Sequence, residues 1–271
     1  MNIKDIGSLI LVGAGQMGSA LAKGWLVHGM PGSALTLVDP SPREETVEFA
    51  KAQGASLVEK MPDAPADALV LAVKPQIVEQ VMAQIKPDIG SETLVLSVVA
   101  GYSLATLSEH LGTARIVRTM PNTPAQVGKG VTGAVAGDGV SEQNKLMADA
   151  IFGASGRAVW LDEESQIDAL TAVSGSGPAY VFLMAEAMAA AGVAEGLDPE
   201  TAMVLARQTI IGAAALMDAD PREAAVLRKN VTSPNGVTAE ALAVLMAKPG
   251  LAELMGRAIR AARLRNKELG E

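Results

Sequence analysis

The first half of the chain alternates short apolar segments with longer segments in which apolar residues recur at helical spacing. The apolar segments predict strands at 8–15, 34–40, 67–75, 93–101, 114–121 and 130–137. The helical segments between them lie at 17–29, 43–54, 77–85 and 104–112. Nearly continuous apolar strands are buried on both faces, so the alternation predicts a doubly wound α/β fold with a parallel sheet covered by helices.

The second half of the chain carries no further strand pattern after about residue 163. Helical segments are predicted at 164–193, 199–218, 221–229, 236–247 and 250–268, separated by proline- and glycine-containing breaks. We therefore expect two domains, a sheet domain over 1–163 and an all-α domain over 164–271.

Composition excludes several classes of function. The net charge of −8 argues against a general nucleic-acid groove, which needs a cationic surface. Without cysteine there is no disulfide, thiolate nucleophile or Cys-ligated zinc, and two distant histidines make a metal site improbable, so we expect none. The N-terminus does not resemble a signal peptide, and we find no uninterrupted apolar stretch of membrane-spanning length. These features predict a soluble, cytoplasmic protein with no membrane or nucleic-acid partner.

A glycine-rich loop follows the first predicted strand and opens the first predicted helix. Its residues are Gly13, Ala14, Gly15, Gln16, Met17 and Gly18, a G-x-G-x-x-G pattern. In such a loop the glycines permit a tight turn and close approach of the backbone to a pyrophosphate, which the helix N-terminus faces. The context predicts a Rossmann-like dinucleotide-binding domain.

Asp39 lies at the end of the second predicted strand, about 20 residues after the loop, where a carboxylate can bind the ribose 2′-hydroxyl of NAD. Ser41 and Arg43 follow closely and could instead receive a 2′-phosphate. The sequence thus predicts a dinucleotide and leaves NADH and NADPH both open.

Residues 172–182, AVSGSGPAYVF, interrupt a segment that is otherwise strongly helical. Gly175, Gly177 and Pro178 together cost roughly 5 kcal/mol of helix stability relative to alanine. A helix surface reduced to backbone would let a flat nicotinamide lie close against it, with the Ser174 and Ser176 hydroxyls adding little bulk. Close helix packing at a subunit interface is the alternative.

Few proton donors are available in this part of the chain. Between Gln166 and Asp220 there is no lysine or histidine, and Arg207 is the only cation. Reduction of a carbonyl requires a donor for the developing alkoxide, whereas a protonated imine is already activated. The sequence therefore favours an imine as the acceptor.

The chain resembles the pyrroline-5-carboxylate reductases over nearly its whole length. The most specific segments are AVSGSGPAYVF (172–182) and LRKNVTSPNGVTAEAL (227–242), and GAGQMG (13–18), AVKP (72–75) and MPNTP (120–124) occur in the same order. The resemblance implies reduction of 1-pyrroline-5-carboxylate to proline with NADPH or NADH. It also implies a helical domain that interlocks with a second subunit, in dimers that often assemble into decamers.

The resemblance also implies residue roles. The expected cofactor contacts, besides Asp39, are Gly13 to Gly18, Ala72, Val73, Lys74, Pro75, Val98, Val99, Ala100 and Asn230. The resemblance implies substrate contacts at Glu164, Val237 and Thr238. The helix break and the loop before Thr238 add Ser174, Gly175, Ser176, Gly177 and Ser233 to the expected substrate contacts. Lys74 is a tempting catalytic acid, but pairing with a phosphate is the favoured interpretation.

The loop before Thr238 fits this assignment by its own chemistry. A turn at Ser233–Gly236 precedes a helix expected to begin at about Thr238, where backbone N–H groups suit a substrate carboxylate. The Thr238 hydroxyl could bind the ring nitrogen or the carboxylate, which makes it the candidate catalytic residue, and it could also cap the helix. Asn235 stands where the family commonly has glycine, a change that asparagine tolerates because it can adopt the left-handed conformation.

Two other functions remain open at this point. One is an NAD(P)-dependent reductase of another cyclic imine or a β-hydroxy acid, and the other is a dinucleotide-binding protein without turnover.

Overall fold

The computed structural model describes residues 1–270, with side chains up to Glu268. The first half of the chain contains an eight-stranded sheet. The strands are Leu9–Val12 (β1), Leu35–Val38 (β2), Ser56–Val58 (β3), Ala68–Leu71 (β4), Leu94–Ser97 (β5), Ile116–Met120 (β6), Gly130–Ala136 (β7) and Gly156–Trp160 (β8). All six predicted strands are present, and the Rossmann-like fold is confirmed.

The strand order is β3-β2-β1-β4-β5-β6-β7-β8, and β6 and β7 are the antiparallel neighbours in it. The expectation of a wholly parallel sheet was therefore wrong at this pair. The connection 121–129 is shorter than the dozen or so residues that a parallel crossover needs, so the chain turns back beside β6.

Two strands and one helix were not predicted from the sequence. Strand β3 has only three residues and is partly exposed, so its apolar signal is weak. Strand β8 alternates exposed and half-buried residues at the sheet edge, which differs from the continuous apolar pattern of the central strands. The helix Glu142–Gly153 begins at a Ser141–Asn144 capping box and precedes β8.

Helices cover both faces of the sheet. They are Gln16–Val27 (α1), Glu44–Gln53 (α2), Val78–Ile85 (α3), Leu104–Leu111 (α4) and Glu142–Gly153 (α5). One buried cluster contains Leu21 and Trp25 of α1 with Phe152 of α5, and the other contains Met82 of α3 with Leu107 of α4. Each strand face is thus buried against its own helical layer, as the apolar strands predicted.

The remaining helices are Ile167–Leu170 (α6), Gly177–Ala194 (α7), Pro199–Ala219 (α8), Ala224–Asn230 (α9), Val237–Leu245 (α10) and Leu251–Gly270 (α11). The chain divides into two compact units, one of residues 1–175 with 263–271 and one of residues 176–262. Within the first unit the Asn266 amide donates to Asp168 at 2.7 Å, which attaches the end of α11 to α6.

The predicted helix over 164–193 is present as a helical run over Glu164–Ala194. Its central turn, Thr171–Gly175, has π-helical geometry between α6 and α7. A π turn inside an α-helix is uncommon and occurs frequently at functional sites. It lies at the segment where the sequence placed its helix breakers.

By length and composition, Glu164–Ala194 and Pro199–Ala219 could each cross a membrane, although such a result for two helices is weak. Neither helix contains an uninterrupted apolar stretch of membrane-spanning length, because charged residues, glycine and, in the first helix, proline interrupt both. Both helices expose many large apolar side chains, including Phe182, Leu183, Val204 and Ile211.

Candidate active site

The crevice where a dinucleotide would bind lies at the carboxyl ends of β1 and β4. From β1 the chain proceeds to β2 on one side, and it later returns to β4 on the other side of β1. Loops after two such strands diverge to opposite faces and leave a gap, which is the usual ligand position in open α/β sheets. The glycine loop (13–18) follows β1, and residues 72–75 follow β4.

The glycine loop makes a tight turn between β1 and α1. Gly13 has a φ of +92°, and a Cβ there would lie 2.7 Å from the Ala72 carbonyl oxygen. A Cβ on Gly18 would collide with the Gly13 carbonyl oxygen, so this glycine permits close packing of α1 against β1. At Gly15, by contrast, a Cβ would meet no described atom within 4 Å. The turn requires two of its glycines, and the third leaves open space at the start of α1, next to Gln16 and Met17.

Asp39 lies beside this loop, as the dinucleotide pattern requires. Its Oδ2 accepts a hydrogen bond from the Ala14 amide at 2.9 Å, and its Oδ1 accepts one from the Ser41 amide at 2.9 Å. The carboxylate therefore holds the glycine loop to the end of β2.

Two further predicted cofactor segments lie at the same edge of the sheet. The Ala72 amide donates to the Val12 carbonyl at 2.8 Å, and the Val98 amide donates to the Leu71 carbonyl at 3.0 Å. Lys74 is exposed and precedes a turn that begins at Pro75. Tyr102 follows Val99 and Ala100 in the chain. The pKa of its hydroxyl is raised, first by burial and second by its hydrogen bond to Glu79.

Glu164 is held by the sheet domain. Its Oε1 accepts from Arg118 Nη1 on β6 at 2.6 Å and from the Leu104 amide, at the start of α4, at 2.7 Å. The Arg118 side chain is only 10% exposed, which places its cation close to Glu164 with little access of water. This cation and the N-terminus of α4 both stabilise the Glu164 carboxylate. This interaction fixes the start of the helical run against β6.

The π turn is attached to the same side of the sheet. A Cβ on Gly133 of β7 would collide with the Leu170 side chain, so this glycine leaves room for α6 to approach. Asn122 donates from Nδ2 to the Ser174 carbonyl at 3.1 Å. The Ser174 hydroxyl donates back to the Leu170 carbonyl at 3.0 Å, and Gly175 follows it. Together these contacts position Ser174 and Gly175.

The other predicted site residues belong to the unit 176–262. In this unit a Cβ on Gly177 would meet no described atom within 4 Å, so the backbone between Ser176 and Pro178 is accessible. Asn230 ends α9, and a turn then begins at Ser233.

Helix α10 begins at Val237, within one residue of the start expected at about Thr238. Its N-cap is Gly236, so the alternative role of Thr238 as the cap was wrong. Val237 is 91% exposed and Thr238 is also exposed. Asn235 has a φ of +56°, which confirms the left-handed conformation expected there. The loop thus presents free N–H groups and a hydroxyl at a helix start.

Arg118 and Asn122 were not predicted as site residues. A charged residue inside the apolar strand segment 114–121 indicates a buried partner, and the motif at 120–124 contains Asn122, so both signals were available. The described residues contain no cluster of three or more His, Cys, Asp or Glu side chains suited to a metal ion.

Two family models match the chain. One, described as pyrroline-5-carboxylate reductase dimerisation, matches residues 164–269. The other, described as NADP oxidoreductase coenzyme F420-dependent, matches residues 8–101 and so contains the glycine loop and the 72–75 segment.

Relatives match almost from end to end. A pyrroline-5-carboxylate reductase of Pseudomonas aeruginosa is 41% identical over 97% of this chain and 97% of its own length. A solved pyrroline-5-carboxylate reductase of Coxiella burnetii is 36% identical, with a TM-score of 0.92, and the alignment covers 98% of this chain and 100% of that one. The Plasmodium falciparum pyrroline carboxylate reductase with NADP bound is 32% identical, with a TM-score of 0.82 and 99% coverage of both chains. With both halves and the whole fold matched, this chain belongs to the pyrroline-5-carboxylate reductase family.

Proposed function

We propose that this chain reduces the C=N bond of 1-pyrroline-5-carboxylate to give L-proline, the last step of proline biosynthesis, with NADH or NADPH as the reductant. The observation that carries this function is the match, along nearly the whole of both chains, to proteins named pyrroline-5-carboxylate reductase. The glycine loop at the point where the strand order reverses supports the proposal, because loops at this position in open α/β sheets bind dinucleotides.

The reaction requires little acid–base catalysis by protein side chains. The bound dinucleotide supplies a hydride, the imine carbon receives it, and the ring nitrogen of the iminium form keeps its proton as it becomes a secondary amine. The protein's task is to hold the two carbons together and to bind the carboxylate. This division of labour explains why the stretch between Gln166 and Asp220 can lack lysine and histidine.

For the cofactor, we propose that the loop from Gly13 to Gly18 binds the pyrophosphate and that Asp39 lies at the adenosine ribose. We further assign dinucleotide contacts to the segments at 72–75 and 98–100, where Lys74 is placed to pair with a phosphate, and to Asn230. The P. falciparum relative has NADP bound, and the matched family model is one of NADP oxidoreductases, which supports use of either dinucleotide.

For the substrate, we propose that the backbone of Ser174, Gly175, Ser176 and Gly177 forms the surface against which the flat ring lies. The carboxylate would bind at the loop containing Ser233 and Val237. Thr238 would donate to the ring nitrogen or the carboxylate from the first turn of α10, which makes it the residue in contact with the reacting group. Glu164, held by Arg118, would add its charge near the iminium. The functional boundary between the two domains would then fall at residues 163 and 164.

The match of residues 164–269 to a dimerisation model makes the protein a homo-oligomer. We propose that its helical domains interlock in a dimer, with dimers assembling to a decamer, in the cytoplasm. Many exposed apolar side chains on α7 and α8 support the interlocked arrangement, because a second copy would remove them from water. The same burial accounts for the apolar composition of these helices without a membrane.

The test is loss of NADH or NADPH absorbance when 1-pyrroline-5-carboxylate is added to the purified protein, with proline identified as the product. β-Hydroxy acids assayed in the oxidative direction and unrelated cyclic imines serve as controls. Turnover of 1-pyrroline-5-carboxylate well above these controls is expected. Preferential turnover of a control, or dinucleotide binding without turnover, would replace the proposal by one of the two alternatives.

A further inference from the structure

Pro178 removes a hydrogen bond from a carbonyl in the π turn. In an α-helix the amide of residue 178 would donate to the carbonyl of Ser174, and proline has no N–H. The next amide along the chain, that of Ala179, donates to the Ser176 carbonyl at 3.0 Å. Ser174 therefore needs a donor from another part of the chain for a carbonyl that lies half-buried.

Asn122 supplies that donor. This residue, 8% exposed, follows β6 in the connection 121–129, and its Nδ2 donates to the Ser174 carbonyl at 3.1 Å. Its Oδ1 accepts from the Val131 amide on β7 at 2.9 Å. An amide N–H can only donate and a carbonyl can only accept, so both partners require the same orientation of the side-chain amide.

The amide thus joins a fixed strand to a carbonyl at the proposed ring-binding surface. On one side it is bonded to β7, which lies within the sheet. On the other side it holds Ser174, immediately before Gly175. Since the proposed site uses bare backbone, no side chain there can compensate for a shift of the main chain. A displacement of about 1 Å at such a surface can lower a rate about a hundredfold.

We infer that Asn122 is a positioning residue for the reaction: its amide replaces the helical donor lost at Pro178 and sets where the Ser174–Gly177 backbone lies. The inference rests on the proposed function for its kinetic consequence. Its structural half, the attachment of the π turn to β7, stands independently of which substrate is reduced.

The first test replaces Asn122 by aspartate, which keeps an oxygen for Val131 and removes the donor for Ser174. Asn122→Asp should lower kcat about 10- to 100-fold while the Kd for NADH stays near that of the native protein. The matched control is Asn144→Asp, another buried asparagine, whose oxygen accepts both of its bonds from Ser141. It introduces the same charge without removing a donor that the structure uses, and its kcat should stay near native.

The decisive test is a double-mutant cycle of Asn122→Ala and Pro178→Ala. Alanine at 178 restores an N–H to the helix, so the loss of kcat caused by Asn122→Ala should be several-fold smaller in the Pro178→Ala background. A role confined to folding would lower Tm and would give the same loss of kcat in both backgrounds. Equal losses would overturn the inference, and the cycle is repeated with Asn122→Asp should the alanine variant not fold.

Amide hydrogen exchange of the peptide spanning 171–177 separates this inference from the proposed function. Asn122→Asp should speed exchange in that peptide, and Asn144→Asp should not. If the native protein does not reduce 1-pyrroline-5-carboxylate, the proposed function fails, and exchange still decides whether Asn122 holds the turn. Unchanged exchange in Asn122→Asp would refute the attachment whatever the activity.

Discussion

Arg118 Nη1 lies 2.6 Å from Glu164 Oε1, and this ion pair joins a central strand of the sheet to the first turn of the helical run. The arginine is almost fully buried, and its Nε has no hydrogen-bond partner. The sheet domain therefore depends on a carboxylate that the sequence analysis assigned to the substrate. The Arg118–Glu164 ion pair therefore both attaches the helical run to the sheet and fixes the position of the Glu164 carboxylate.

Loss of this carboxylate should destabilise the fold. Glu164→Ala leaves the Arg118 cation buried without its partner, and we expect the free energy of unfolding to fall by about 2–3 kcal/mol. Glu92→Ala removes the partner of Arg115, whose ion pair is far more exposed, and should cost less than about 1 kcal/mol. Urea denaturation of both variants measures the difference, and equal losses would contradict the structural role given to Glu164.

Asp39 should decide between the two dinucleotides. Its carboxylate, beside the glycine loop, repels a 2′-phosphate, so Asp39→Asn should raise the ratio of kcat/KM for NADPH to that for NADH about tenfold. Both values should also fall, because the Ala14 amide bonds to this carboxylate. Glu45→Gln, in the first turn of α2, removes an equal charge and should leave the ratio unchanged. A ratio unaffected by Asp39→Asn would place the 2′ position away from β2.

A side chain at Gly177 should block the substrate without unfolding the protein. The space around its Cβ position is open, so Gly177→Leu fits the chain and fills the place proposed for the ring. We expect reduction to be abolished while NADH binding, followed by fluorescence, remains measurable. Gly153→Leu, at an equally open glycine ending α5, should retain activity. Turnover by the Gly177→Leu variant would show that the backbone at Gly177 does not line the substrate-binding site.

The Thr238 hydroxyl should matter for the chemical step rather than for the helix. Because Gly236 is the N-cap, removal of the hydroxyl costs no capping bond. Thr238→Ala should lower kcat/KM about 10- to 100-fold, with little change in the Kd for NADH. Thr232→Ala, whose hydroxyl bonds to the Arg228 carbonyl in the same loop, is the control. Native kcat/KM in Thr238→Ala would exclude the threonine from the mechanism.

A charge on the apolar face of α8 should prevent assembly. Ile211 is 56% exposed within the chain, and Ile211→Glu should shift the protein toward monomer in sedimentation velocity, with loss of activity. Val47→Glu places the same charge at an exposed valine of α2 and should leave the oligomer intact. An Ile211→Glu protein of native size would show that this face of α8 does not contribute to the oligomer.

The fold was largely predictable because its strands are uniformly apolar and its helices are bounded by glycine and proline. Elements whose structure depends on strand pairing, and not on local pattern, were not predicted. Strand β8 is an edge strand defined by its partner β7, and β7 runs antiparallel to β6 because the connection 121–129 is short. The hydrophobic pattern of a strand indicates neither its position at the edge of the sheet nor the direction in which it runs.

The site was predictable to the extent that its groups are local. The glycine loop with Asp39, and the breakers at 175–178, could be recognised because a backbone conformation demands those residue types. The partners of Glu164 and Ser174 could not, because both hydrogen bonds span a long sequence separation and depend on how β6 and β7 lie against the helical run. Asn122 as the donor to the Ser174 carbonyl was therefore not predicted.

The most direct measurement is a crystal structure of the assembled protein with NADH and proline bound. Our account predicts the nicotinamide ring in contact with the Ser174–Gly177 backbone. It also predicts the proline carboxylate at the N–H groups of Val237 and Thr238, with the proline ring between them and the nicotinamide. A nicotinamide ring bound away from that backbone, or a proline carboxylate bound elsewhere than the start of α10, would contradict it.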